Sequence, residues 1–367
     1  MEDFLREFAE QRKDEINLEF TVSVQGEDSC GTQVMSDVKG AADIFCFADD
    51  QLNELKNGDA LLDLADKKDT LLERFGGEFC VASEAVMREG HMYACPETSG
   101  NGYFLYYNKK YFEEKDVEKL DDILKIAAEN EKLFSMDIEN GWYLYSFFKG
   151  AGFNVFADAL NGKNLCDWNS TDKEYKGTDV LNALLKITGS EGFVNWDDKE
   201  FLRGVREGEV IAGVSGPWNA GIMEEEWGED YGAAKLPTYT LKGKQIQMCS
   251  FTGFKLLGIN ANTKYPELCM DIVDYITIEK NQIREFETTG EIPANIKARD
   301  QEEIDNSVVA RALADQSEFS YIQNINNPYW EASRKMGVII AGGNRDDKDL
   351  QEVLDNMVRD TCAYVKE

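Results

Sequence analysis

Residues 210–214 (VIAGV) form a run that is small and apolar throughout, and it stops at Ser215-Gly216-Pro217-Trp218. An unbroken apolar run closed by Gly and Pro predicts a strand buried on both faces. Short runs at 41–47 (AADIFCF), 103–107 (YFLYY) and 254–259 (FKLLGI) predict further strands. Residues 18–24 (LEFTVSV) alternate instead, which predicts a strand with one solvated face. Phe4, Leu5 and Phe8 sit at helical spacing within 2–14, and helical patterns recur over 117–130, 141–150, 178–188, 266–278, 307–315, 328–341 and 347–364. Strands alternating with helices imply an α/β fold with mainly parallel sheets. A chain of 367 residues holds about two domains, and the sequence has no internal repeat, low-complexity tract or Ser/Gly linker.

Composition narrows the partners. Hydrophobic residues make up 43% of the chain, with 6 Trp, 15 Tyr and 20 Phe, enough for packed cores. The 39 basic residues face 70 acidic ones, for a net charge of −31. Such a surface repels phosphate backbones and anionic lipid heads, which argues against nucleic-acid and membrane partners. The N-terminal MEDFLREFAEQRKDE is charged and amphipathic, unlike a signal or transit peptide. Eight cysteines occur without a CxxC pair, so a zinc ribbon or thioredoxin-like site is not supported. Cys46 (IFCF) and Cys269 (ELCMDIV) read as small buried hydrophobes.

Enzyme signatures are missing. His91 is the single histidine, which leaves no HExxH zinc site or multi-histidine centre. No GxSxG, GxxxxGK[ST] or GxGxxG motif occurs. The loop 167–172 (DWNSTD) resembles a calcium loop but carries Asp172 where Gly is needed. No metal or cofactor is therefore expected. What stands out is aromatic density at turns beside small polar residues. Trp142 follows Asn140-Gly141, Trp218 follows Gly216-Pro217, Trp330 follows Asn327-Pro328-Tyr329, and Phe47 precedes Asp49-Asp50. Sugar sites are built this way, with ring C–H faces lying on aromatic rings and hydroxyls meeting Asp, Asn or Gln. Each such aromatic also has a structural reading, as a plug between elements.

The same segments resemble the extracellular solute-binding proteins of ABC sugar importers, in the maltose/maltodextrin-binding branch. The matching pieces, in family order, are 42–64 (ADIFCFADDQLNELKNGDALLDL), 103–112, 139–156 (ENGWYLYSFFKGAGFNVF), 210–222 (VIAGVSGPWNAGI), 231–238, 251–277 and 327–343. The resemblance implies two α/β lobes joined at a hinge, with sugar in the cleft. The first lobe would comprise 1–107 and 260–306, the second 108–259 and 307–367. Asp50 falls on a hydroxyl-binding Asp and Phe47 on the aromatic before it. Gln51 stands where an Arg often follows. Trp142 takes the place of a stacking Tyr, Asn140 and Asn101 stand where Glu is usual, and Trp218 and Trp330 match two stacking Trp positions. Family members begin with a strand and a polar loop ahead of the first helix, whereas Met1 already lies in that helix. The resemblance thus implies an N-terminally shortened form, or a mis-called start, of a secreted lipoprotein, without its leader and lipid-attachment Cys.

The reading is an extracellular, lipoprotein or periplasmic, monomeric carbohydrate-binding protein that is not an enzyme. It captures malto-oligosaccharides for the membrane permease subunits of an ABC importer. The alternatives are a binder of xylan or β-glucan fragments, a glycoside hydrolase, and an acidic cytoplasmic scaffold.

Overall fold

A computed structural model describes residues 1–78, 80–158 and 163–363. The chain divides into two compact units, Met1–Asn101 with Gly253–Ser307, and Gly102–Thr252 with the chain from Val308 onward. In chain order the strands that matter here are β1 (Ile44–Ala48), β2 (Cys95–Ser99), β3 (Phe104–Asn108), β4 (Leu133–Ser135), β5 (Phe193–Val194), β6 (Val210–Ser215), β7 (Tyr231–Ala234), β8 (Ser250–Thr252), β9 (Phe254–Ile259) and β10 (Ser320–Ile322). The helices are α1 (Glu2–Gln11), α2 (Gly141–Gly150), α3 (Asp198–Arg206), α4 (Pro266–Ile276) and α5 (Pro328–Ala341).

The first unit holds a three-stranded sheet in the order β1-β9-β2. Ala48 pairs with Lys255, and Ser99 pairs with Phe254. The carboxyl ends of β1 and β2 therefore flank the start of β9, and both pairings of β9 are antiparallel. The reason is topological. The chain leaves this unit just after β2 and re-enters just before β9, so β9 starts where the other two strands stop. Phe45, Phe47, Leu52, Leu55, Leu256 and Ile259 form the core of this unit, and α1 adds Phe4 and Phe8. Phe8 meets Tyr275 of α4 edge-on at 5.3 Å.

The second unit holds a five-stranded sheet in the order β7-β3-β6-β4-β5. β6, β4 and β5 run parallel, while β3 pairs antiparallel with both β6 and β7. Every residue of β6 is buried, as an apolar strand covered on both faces requires. The carboxyl ends of β6, β4 and β5 share one edge. Ser215 at the end of β6 pairs with Phe104 at the start of β3. β8 and β10 form a separate parallel pair, with Phe251 opposite Tyr321.

Three expectations need correction. The sheets are mixed rather than mainly parallel, because β9 and β3 each start beside the carboxyl end of a neighbour. Residues 18–24 form no strand. Val22 is 38% and Val24 100% exposed, and alternation without a ladder partner does not make a strand. The strands 104–108 and 254–259 stand in the opposite units from the expected division, since long-range pairing decides where a strand belongs. The expected helix 347–364 is observed as Leu350–Thr361, and position 364 lies outside the described residues. Among the described residues, no helix is long and apolar enough to cross a membrane.

Candidate ligand-binding surfaces

In open α/β sheets, ligands bind outside the carboxyl ends of parallel strands. On the second unit, that edge is made by the loops 136–140, 195–197 and 216–219, which follow β4, β5 and β6. The first loop runs into α2, where the Asn140 side-chain oxygen accepts the Trp142 backbone N–H at 3.0 Å and caps the helix. Asn140 is exposed and Trp142 half-buried. The Trp142 ring lies 5.6 Å from Tyr103 and 5.2 Å from Phe251. Its indole N–H is buried without a hydrogen-bond acceptor, an arrangement that costs about 1–3 kcal/mol unless something else supplies one.

Trp330 follows Pro328 in the first turn of α5 and is half-buried. Its ring approaches Phe251 at 6.3 Å and Tyr329 at 4.9 Å, both edge-on. Phe251 is 1% exposed and is stacked by Tyr145 at 3.7 Å. Trp142 and Trp330 thus share one buried support. The backbone at Trp142 is held by tyrosine hydroxyls. Tyr103 donates to the Trp142 carbonyl at 2.6 Å, and Tyr329 donates to the Gly141 carbonyl at 2.7 Å.

Trp218 follows the end of β6. Tyr106 donates its hydroxyl to the Gly216 carbonyl at 2.9 Å and holds that turn in the same way. The Trp218 ring folds back over Gly216, where a Cβ would meet ring carbons at 2.0 Å, so only glycine fits there. The indole N–H donates to Asp198 Oδ2 at 2.7 Å, and Ser215 Oγ donates to Asp198 Oδ1 at 2.9 Å. Asp198 was not among the expected site residues. It lies twenty positions upstream in an Asp-Asp-Lys-Glu run that reads as helix capping, and Asp197 does cap α3.

Two further carboxylates frame this edge. Asp137 accepts the Glu139 backbone N–H at 3.1 Å, and burial pushes its pKa up to about 6. Asn195 donates to Glu139 Oε1 at 3.1 Å and accepts the Ile138 backbone N–H at 2.7 Å. These groups had no distinguishing signal in a chain so rich in acids.

On the first unit the corresponding edge is the turn after β1. Asp50 is half-buried there, beside a buried Asp49. Asp49 accepts the Phe254 backbone N–H at 3.2 Å. A Cβ at Gly253 would lie 2.7 Å from its Oδ1, so glycine is needed for that approach. Burial, and then the charge of Asp50, push the Asp49 pKa up to about 8. Asn101 is the last residue before the chain leaves this unit, and it is 7% exposed. Its backbone N–H donates to the Gly253 carbonyl at 3.0 Å.

Phe47 is a correction. It is 0% exposed and packs in the core with Phe45 at 5.8 Å. Residues two apart on a strand share a face, so Phe47 follows Phe45 inward and offers no ring to a ligand. Gln51 is also internal, its side chain accepting the Gly31 N–H at 2.7 Å.

Comparison with known proteins agrees on one family. A sequence profile described as bacterial extracellular solute-binding protein matches residues 4–312. A galactooligosaccharide-binding protein of Bacillus subtilis is 28% identical, over 88% of this chain and 77% of the relative. A maltooligosaccharide ABC transporter solute-binding lipoprotein of Streptococcus pneumoniae R6 is 26% identical, over 86% and 73%. A solved structure described as being with acarbose superimposes with a TM-score of 0.86 at 29% identity, covering 98% of this chain and 93% of that one.

Proposed function

The chain belongs to the bacterial extracellular solute-binding proteins, and from that premise we propose that it captures malto-oligosaccharides and delivers them to the permease of an ABC importer without chemically altering them. The observation that carries this reading is the pair of half-buried indoles, Trp142 and Trp330, set on the buried Phe251. Rings fixed in this way suit the apolar faces of glucose units, and the neighbouring Asn140, Asp137 and Glu139 suit their hydroxyls. Trp218 adds a third ring at the end of β6. On the first unit, Asp50 and Asn101 are the proposed hydroxyl partners. Acarbose in a structural relative and maltooligosaccharide in the name of a sequence relative support the choice of sugar. The lipoprotein relative supports attachment at the cell surface.

The alternative is a galacto-oligosaccharide, favoured by the name of the Bacillus relative. A thermal-shift screen decides between them. At 100 times the dissociation constant, a bound sugar stabilises by about 2.7 kcal/mol, a visible rise in Tm. We expect that rise with maltotriose. A rise with galacto-, xylo- or cello-oligosaccharides alone would replace the sugar, and release of glucose over time would mark a hydrolase.

A further inference from the structure

We propose that Asp198 is the positioning residue of the Trp218 ring, fixing the indole plane before any sugar arrives. The inference rests on the reading that Trp218 is a stacking surface, and it adds the group that orients it. Asp198 sits in the first turn of α3, a nine-residue helix whose Phe201 and Val205 are 2% and 3% exposed. The helix is thereby seated on the unit's core, and its N-terminal dipole favours a carboxylate at that position. Capping is already done by Asp197, whose Oδ1 accepts the Glu200 N–H at 2.9 Å. Asp198 is therefore not needed as a cap, and both of its oxygens turn to the loop after β6.

One oxygen takes the Trp218 indole N–H, and the other takes the Ser215 hydroxyl. Asn219 donates its side-chain N–H to Ser215 Oγ at 2.8 Å, which directs the serine proton toward Asp198. Ser215 is 0% and Asn219 5% exposed. A single carboxylate thus ties the last residue of β6 to the ring beyond the turn, and Asn219 joins through Ser215. An indole has two rotatable bonds, and the hydrogen bond to Asp198 adds an orienting constraint to the packing of the ring over Gly216. Fixing it in advance removes an ordering cost from binding. The hydrogen bond to a charged acceptor is the strong kind.

The test uses the full chain with Asp198→Asn, Asp198→Ala, Trp218→Ala and the double variant Asp198→Ala/Trp218→Ala. Maltotriose affinity is read by calorimetry, and the indole environment by near-ultraviolet circular dichroism without sugar. Asparagine keeps an oxygen for the indole N–H, so Asp198→Asn should bind within a few-fold of the parent. Asp198→Ala should weaken binding about tenfold, the equilibrium counterpart of one charge-assisted hydrogen bond. It should also lose, in the sugar-free protein, the part of the spectrum that Trp218→Ala loses. The double variant should bind no more weakly than Trp218→Ala alone, since coupled residues are not additive. Additive losses, or an unchanged sugar-free spectrum in Asp198→Ala, would overturn the proposal. Failure of the parent protein to bind any maltodextrin would instead overturn the functional reading, while the sugar-free spectra would still decide the role of Asp198.

Discussion

The sheets of the two units bury polar groups in different ways. The first unit encloses charges around its sheet, among them the buried Asp49 and Glu97 and the half-buried Lys255. Lys255 on β9 is ion-paired with Glu27 at 3.0 Å and with Glu291. Glu97 on β2 is 5% exposed and accepts the Cys46 thiol at 3.0 Å, and burial raises its pKa. In the second unit four buried tyrosine hydroxyls donate to backbone carbonyls. Tyr103, Tyr106, Tyr239 and Tyr329 all do so, and three of these carbonyls belong to the segments that carry Trp142 and Trp218. The difference teaches where precision is placed. Neutral hydroxyls satisfied by backbone fix the second unit's loops without the desolvation cost of ions. The first unit depends on balance among charges, which pH and substitution can upset.

The largest expected effect breaks the charge balance. Lys255→Met leaves the half-buried Glu27 and Glu291 without their cation, and should destabilise the first unit by about 3 kcal/mol, the lower end of the range for a buried pair. Urea unfolding followed by hydrogen exchange should show the loss in β1, β9 and β2, with β6 and β4 unchanged. Equal loss in both sheets would erase the contrast.

A smaller effect belongs to the aromatic side. Trp218→Ala and Trp330→Ala should each weaken sugar binding by about 1–3 kcal/mol and leave Tm nearly unaltered, since both rings are only half-buried. Asp50→Ala should weaken binding as well, through its lost hydrogen bonds. A large fall in Tm with unchanged affinity would make the two rings core residues.

The smallest effect, counted per pH unit, sharpens the comparison through pH. The Asp49 pKa is raised in the folded protein to about 8, above the value of about 3.9 for an unfolded Asp. Its contribution is then fully present below pH ~4 and is lost as pH rises through about 8. The slope is at most about 1.4 kcal/mol per pH unit. Asp49→Asn keeps an acceptor for the Phe254 N–H and should flatten that slope. Chemical denaturation at several pH values reads it, and a variant with the parent's slope would place the titration elsewhere.

Elements whose signal is local were legible in the sequence. The continuous apolar run of β6, the helix at Gly141–Gly150 and the helix at Pro328–Ala341 stand where spacing predicted them. Signals that depend on a distant partner were not. Residues 18–24 alternate like a strand, yet alternation carries no information about a ladder neighbour. Phe47 looked like a ring at the mouth of a turn, but strand parity with Phe45 turns it inward. Asp198 reaches Trp218 through tertiary folding across twenty residues, and no local spacing marks that contact.

The most direct measurement is calorimetric titration of the full chain with maltotriose, with a galacto-oligosaccharide as the competitor. Saturable binding of maltotriose at one sugar per chain, retained against the competitor and weakened in both Trp218→Ala and Trp330→Ala, is the predicted result. No heat with maltotriose, or full affinity in both tryptophan variants, would contradict the account.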